Sequence, residues 1–123
     1  MNKEFIPYEQ ALELKELGFN EPCFGFYIAS QLVMTSDNVY NSSDIPVYKA
    51  PLYQQAFRWF REKYGLYSTI IFRVSMEDNN EYWDWLIKGE EVVYRHFNTY
   101  EEAEDACLIK LIEMLERKPE AYS

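Results

Sequence analysis

The stretch that decides the fold is LYSTIIFRV-SMEDNNE-YWDWLIK-GE-EVVYRHF, residues 66–97. Its runs 66–74 and 82–87 alternate apolar and polar side chains over much of their length, the pattern of half-buried β-strands. Between them, residues 77–80 (EDNN) favour a turn. Residues 89–90 (GE) favour a second, type II′ turn, because glycine readily takes the positive φ of its first position. The stretch therefore predicts a three-stranded antiparallel meander.

The two turns also predict the register of the meander. A first loop of four residues, 77–80, places Phe72 opposite Trp85. It places Val74 opposite Trp83, and the second turn places Trp83 opposite His96. Both turns put bulky rings on one face, and such an apolar face is what fixes the register of a sheet. We expect the lone histidine on this core face, where a structural role is favoured over a catalytic one.

The opposite face of the meander carries a row of alternating charge. The register sets Arg73 beside Asp84, and Asp84 beside Arg95. Cross-strand pairs of this kind contribute ~0.2–1 kcal/mol each, so the row can be interpreted as sheet stabilisation alone. It can also be interpreted as a binding site, because two guanidinium groups that share one carboxylate keep donors for a phosphate or an acidic group. Tyr67 and Tyr82 would flank that site.

Three helices are predicted from apolar residues spaced three and four apart, over residues 7–17, 51–64 and 100–117. A proline opens each of the first two and a glycine follows its end. Thr99 and Glu102 form a capping box at the start of the third helix.

The starts of the three helices resemble one another: YEQA at 8–11, YQQA at 53–56 and YEEA at 100–103. The first two helices are followed by a glycine and an aromatic-rich strand, which suggests an αββ internal repeat. Convergent helix-start chemistry explains the similarity equally well. The predicted fold is α+β, a single domain over residues 1–123 with the meander, an N-terminal hairpin and three helices.

The N-terminal hairpin is predicted within residues 21–35 and is expected to be buried on both faces, because its apolar run is nearly continuous. Gly25 within it indicates a bulge or a close approach of another stretch of backbone. Residues 36–50 are rich in Ser, Asn and Asp and are predicted to form a long loop, of the length that is often functional or mobile.

Composition excludes several classes of function. The net charge of −9 and the absence of a basic run disfavour general nucleic-acid binding and anionic membrane surfaces. Arg58 and Arg61 come closest to a basic cluster. The chain starts without a signal-peptide pattern and has no apolar stretch that would span a bilayer. Cys23 and Cys107 stand alone, so we expect a bacterial cytoplasmic protein in which both are small core residues.

Catalytic and cofactor motifs are missing from the sequence. It contains no GxSxG, P-loop or GxGxxG, and no Cys/His cluster with zinc spacing. We therefore predict no metal, no cofactor and no enzymatic activity.

Three segments carry a resemblance to a known group of proteins. They are QAFRWFREKY at 55–64, FIPYEQAL at 5–12 with LGF at 17–19, and TYEEA at 99–103. Together they resemble uncharacterised small proteins encoded by phages and prophages of gut Bacteroides-type bacteria. The resemblance implies an accessory protein in an infected bacterium, and no catalytic residue carries over from it. Small phage proteins of this kind often block a host factor or sequester a signal molecule.

Three functions follow as hypotheses. The first is a small acidic binding protein that acts on a host protein, in counter-defence for example. The second is a sponge for a nucleotide-derived signal, which would be bound by Arg73 and Arg95 or by Arg58 and Arg61, within one chain or across a homodimer interface. The third is a small hydrolase or transferase that uses carboxylates, His96 and tyrosine hydroxyls.

Overall fold

The computed structural model describes residues 4–34 and 46–117, and these form the predicted α+β fold with three helices and antiparallel sheets. One sheet has the strand order β2-β1-β3 and the other is the pair β4-β5. The chain divides into two compact units, Met1–Ala56 and Phe57–Ser123. The elements are α1 Tyr8–Glu16, β1 Gly25–Ile28, β2 Gln31–Met34, β3 Val47–Ala50, α2 Tyr53–Tyr64, β4 Ser68–Val74, β5 Glu81–Ile87 and α3 Tyr100–Arg117.

The N-terminal unit contains a strand that the sequence did not indicate. β1 pairs with β2 through a turn at Ala29 and Ser30, whose φ angles of 51° and 63° are those of a type I′ hairpin turn. β1 also pairs with β3, so the prediction of a loop over residues 36–50 is wrong at its end, 47–50. The rest of that loop, up to residue 45, lies outside the described residues. The prediction that the hairpin is buried on both faces holds for β1 and is wrong for β2, because β2 is an edge strand.

Gly25 is approached closely by side chains and not by backbone, and it pairs in regular register without a bulge, so neither feature predicted for it is present. A Cβ atom added at Gly25 would lie 2.9 Å from Cε1 of Phe5 and 3.2 Å from Cδ1 of Leu32. We expect Gly25→Ala to lower the free energy of unfolding by about 1 kcal/mol, because the Phe5 ring must shift to admit the methyl group. Urea denaturation measures this. Gly65→Ala is an unsuitable control because its φ is 68°, whereas Ser68→Ala changes a strand residue without adding volume.

The hairpin β4–β5 keeps the predicted faces with a shifted register. Phe72 lies opposite Trp83 and Ile70 opposite Trp85, two residues from the predicted pairing. The turn lies one residue earlier than predicted: Ser75 faces Asn80, with a 2.8 Å hydrogen bond from its amide to the Asn80 carbonyl, and residues 76–79 form the loop in place of 77–80. A shift of two residues leaves every side chain on its face, so Arg73 and Asp84 still share one.

The third strand of the meander is absent among the described residues. Residues 91–96 form no strand, and the pairing with β5 is reduced to one bridge between Trp83 and Phe97. The bridge is one residue from the predicted Trp83–His96 pair. His96 is therefore exposed and stacks on Tyr82 with the ring centroids 3.8 Å apart, so its predicted core position is wrong.

The third helix begins and ends as predicted. The Glu102 amide donates to Thr99 Oγ1 at 3.1 Å and the Thr99 amide donates to Glu102 Oε1 at 3.2 Å, which completes the capping box. Both cysteines are buried thiols, as expected of small core residues. Across the described residues, no helix has the length and apolarity that a membrane span requires. The buried face of α3 consists of Ala103, Glu104, Cys107, Leu108, Leu111, Ile112, Met114 and Leu115.

Candidate functional site

Asp84 is the centre of the charged row and is fully buried. Arg73 Nε donates to its Oδ2 at 3.1 Å, and Arg95 Nη1 donates to its Oδ1 at 3.3 Å. Two backbone amides complete the set, that of Trp85 at 2.7 Å and that of Arg95 at 3.3 Å. A buried carboxylate needs such compensation, because desolvation strongly disfavours an unpaired charge.

This network also closes one edge of the hairpin. The Trp85 amide donates to the Asp84 carboxylate, and the Trp85 carbonyl accepts from Arg95 Nη1 at 3.3 Å. Trp83 exchanges both of its backbone bonds with Phe97, at 2.8 and 3.0 Å. The Arg95 amide is bonded to Asp84 instead of to a strand carbonyl, which is why residues 91–96 do not extend the sheet. The backbone groups of β5 at Trp83 and Trp85 are thus satisfied without a third strand.

Both arginines stack on aromatic rings. The Arg95 guanidinium lies 3.6 Å from the Trp85 ring centroid, and that of Arg73 lies 4.5 Å from the Tyr94 centroid. Tyr94 was not among the residues predicted for the site, and its ring is largely exposed. Within the described part of the chain, Arg73 uses only Nε in hydrogen bonds, so its two terminal nitrogens keep their donors.

The structure brings together some of the residues predicted for the binding site. Arg73, Asp84 and Arg95 form one network, and Tyr82 lies opposite Arg73 in the hairpin. Tyr67 lies apart from it, where Lys88 Nζ is 5.6 Å from its ring centroid. Arg58 and Arg61, which were also predicted to bind a ligand, are exposed on α2.

A second surface on the same hairpin was not anticipated. Phe72, Val74 and Met76 are 50%, 49% and 96% exposed, and together they form what we call the apolar edge. Phe72 contacts the Trp83 ring, whose centroid is 5.1 Å from its own, and Trp83 contacts Tyr100 at 5.4 Å. Exposed apolar side chains beside aromatic rings are typical of interaction surfaces.

The backbone of β4 is open along the apolar edge. The Ser75 amide bonds the Asn80 carbonyl and the Lys88 amide bonds the Tyr67 carbonyl, so odd-numbered residues of this strand direct their backbone groups toward β5. Even-numbered residues, including Phe72 and Val74, direct theirs outward. No strand among the described residues pairs with that outer edge.

The apolar edge ends in an acidic turn. Glu77 and Asp78 in the turn and Glu81 at the start of β5 are all exposed. Hydrogen bonds from the Asn80 backbone amide and from Ser75 lower the pKa of Asp78, so its carboxylate stays charged in mildly acidic solution. The unpaired edge of β4 is therefore apolar along the strand, and the turn at the end of that strand is negatively charged.

One buried acid lies outside both surfaces. Glu104 on α3 is buried, and desolvation, with Coulombic repulsion from Glu101 and Asp105, raises its pKa to about 7. A hydrogen bond from the Tyr100 hydroxyl acts in the opposite direction. Burial likewise raises the pKa of the Cys107 thiol to about 12, which leaves it a poor nucleophile.

Among residues 4–34 and 46–117, no group of three His, Cys, Asp or Glu side chains could hold a metal ion. Comparison of the chain with protein-family models, with curated proteins and with solved structures gives no match.

Proposed function

We propose that this chain is a non-catalytic binding protein that holds a protein partner at the apolar edge of β4. The observation that carries the proposal is the combination of exposed Phe72, Val74 and Met76 with outward backbone groups that no described strand occupies. An extended segment of a partner can add to such an edge, gaining affinity from main-chain hydrogen bonds and specificity from alternate side chains.

The chemistry of the edge defines the partner segment. Its apolar residues would lie beside Phe72 and Val74, and basic residues would lie beside the acidic turn at the tip. β4 runs toward that tip, so an antiparallel segment places its N-terminal end there. The partner segment is therefore basic at its N-terminal end and has alternating apolar residues after it.

The resemblance to phage-encoded proteins supports a narrower proposal for the same surface. The partner would be a protein of the infected bacterium, a defence component for example, and binding would take place in the bacterial cytoplasm. The net charge of −9 favours a basic partner.

A synthetic peptide tests the proposal directly. We expect the peptide KKVTVTV to bind the full chain, and the peptide EEVTVTV to bind roughly tenfold more weakly, with a difference that shrinks at high salt. Isothermal titration calorimetry measures both affinities. Equal affinity of the two peptides would contradict the role of the acidic turn.

Methylated peptides distinguish strand addition from simple apolar contact. In an antiparallel pair the valine amides face β4 and the threonine amides face solvent. N-methylation of the valine amides should abolish binding, whereas N-methylation of the threonine amides should preserve it.

Protein variants provide the matched control. Val74→Lys should weaken binding of KKVTVTV at least tenfold, while Val92→Lys, at a similarly exposed valine outside the edge, should leave it unchanged. Concentration-dependent dimerisation that Val74→Lys abolishes would assign the edge to a second copy of this chain and overturn the partner proposal.

A second candidate function concerns Arg73. Its terminal nitrogens keep their donors, and the Tyr94 ring covers one side of the guanidinium, which favours an anionic group such as the phosphate of a nucleotide-derived signal. Calorimetry with cyclic nucleotides and ADP-ribose tests this function. Binding that Arg73→Gln abolishes would support it, and the absence of heat with every ligand would exclude it.

A further inference from the structure

The N-terminal unit contains a cavity of about 200 Å³ that the proposed function does not use. It lies among residues of α1, the segment that follows it, and β3. Part of its wall is apolar and part carries amines and an amide. The lining residues are Ala11, Phe19 and Val47 on the apolar part, with Lys15, Asn20 and Lys49 on the polar part.

Each of the two lysines makes one contact near this cavity. Lys15 Nζ lies 4.8 Å from the centroid of the Tyr48 ring, a cation–π contact. Lys49 Nζ donates to the Asn20 carbonyl at 3.4 Å. Each ammonium group has three donors, so both keep hydrogen-bonding capacity.

Neither lysine has an acidic partner among the described residues. The ion pairs there are made by arginines: two with Asp84 and one between Arg117 and Glu113. The chain has 21 acidic residues and only 12 basic ones. Two lysines that share a cavity and have no carboxylate partner among the described residues are therefore unusual in this chain. An anion in the cavity would offset both charges.

We propose that this cavity binds a small organic anion, a monocarboxylate with a short apolar body. Its carboxylate would accept hydrogen bonds from Lys15 and Lys49, and its apolar part would lie against Ala11, Phe19 and Val47. The volume of the cavity is that of about seven water molecules in the liquid, at ~30 Å³ each. This volume suits a ligand of the size of benzoate or hexanoate.

Benzoate is the probe, titrated into the full chain and followed by amide NMR. We expect saturable shifts at Lys15 and Lys49. Benzamide, the neutral analogue, should bind at least tenfold more weakly, and inorganic phosphate should also bind more weakly because it lacks the apolar body. Equal affinity for benzoate and benzamide, or no saturable shift in the millimolar range, would overturn the proposal.

Lysine variants identify the groups responsible. Lys15→Gln and Lys49→Gln should each weaken benzoate binding roughly tenfold, because each removes a charge-assisted hydrogen bond. Lys15→Arg should retain most of the affinity, and Lys110→Gln on α3 should have no effect. Thermal unfolding of each variant verifies that it is folded. Unchanged affinity in both glutamine variants would overturn the proposal independently of the β4 edge.

Discussion

Replacing Asp84 by alanine is expected to lower the free energy of unfolding by about 3–5 kcal/mol. The carboxylate accepts four hydrogen bonds and is fully buried, so its loss leaves two largely buried guanidinium groups and the Trp85 amide without their acceptor. Chemical denaturation followed by tryptophan fluorescence measures the loss. Asp78→Ala, at an exposed acid of the turn, should change stability far less.

A triple variant separates the charges from the packing. Arg73→Met, Asp84→Leu and Arg95→Met together remove the whole network, and we expect the combined loss to be smaller than that of Asp84→Ala alone. The reason is that no buried charge is then left unpaired. A loss below about 1 kcal/mol in Asp84→Ala would contradict the conclusion that the network of Arg73, Asp84 and Arg95 holds residues 91–96 against the hairpin.

Stability is expected to fall as pH rises from 4.5 to 7 because of Glu104. Its pKa is raised from 4.5 to about 7, so between these values the folded chain binds more protons than the unfolded chain. The contribution of the protonated carboxyl is fully present below pH 4.5 and is lost as pH rises through 7. We expect a change on the order of 2 kcal/mol, less than the whole shift would give, because nearby water screens part of the penalty.

Glu104→Gln isolates this effect. The amide cannot ionise, so the variant should be about as stable as the parent near pH 5 and more stable at pH 8. Glu116→Gln, at an exposed position of the same helix, serves as the matched control and should follow the parent at both values. Urea denaturation at the two pH values measures all three proteins. An equal pH dependence in parent and Glu104→Gln would contradict the assignment.

Much of the fold could be predicted because the signals are local. The capping box of Thr99 and Glu102 and the prolines and glycines at helix ends depend on neighbours in sequence. The faces of β4 and β5 follow from the two-residue period of a strand, which a register shift of two residues does not change. That is why Arg73 and Asp84 could be placed on one face although the predicted turn was one residue out of place.

The predictions that failed depend on which segments, distant from each other in sequence, pair or come into contact. β3 is only four residues long and follows a polar segment, so its pairing with β1 had no local signal. The backbone at residues 91–96 binds a buried carboxylate instead of a strand, which a pattern of apolar residues does not reveal. The apolar edge was missed because the predicted register buried Phe72 and Val74, and only the structure shows them exposed.

The most direct test of the β4 edge is amide hydrogen exchange, read residue by residue, with and without KKVTVTV. In the free chain, the amides of Phe72 and Val74 should exchange faster than those of Ile71 and Arg73, because only the latter face β5. The peptide should slow exchange at Phe72 and Val74 and leave the Tyr94 amide unchanged. Protection of Phe72 and Val74 before the peptide is added, or none after it, would contradict the proposed edge.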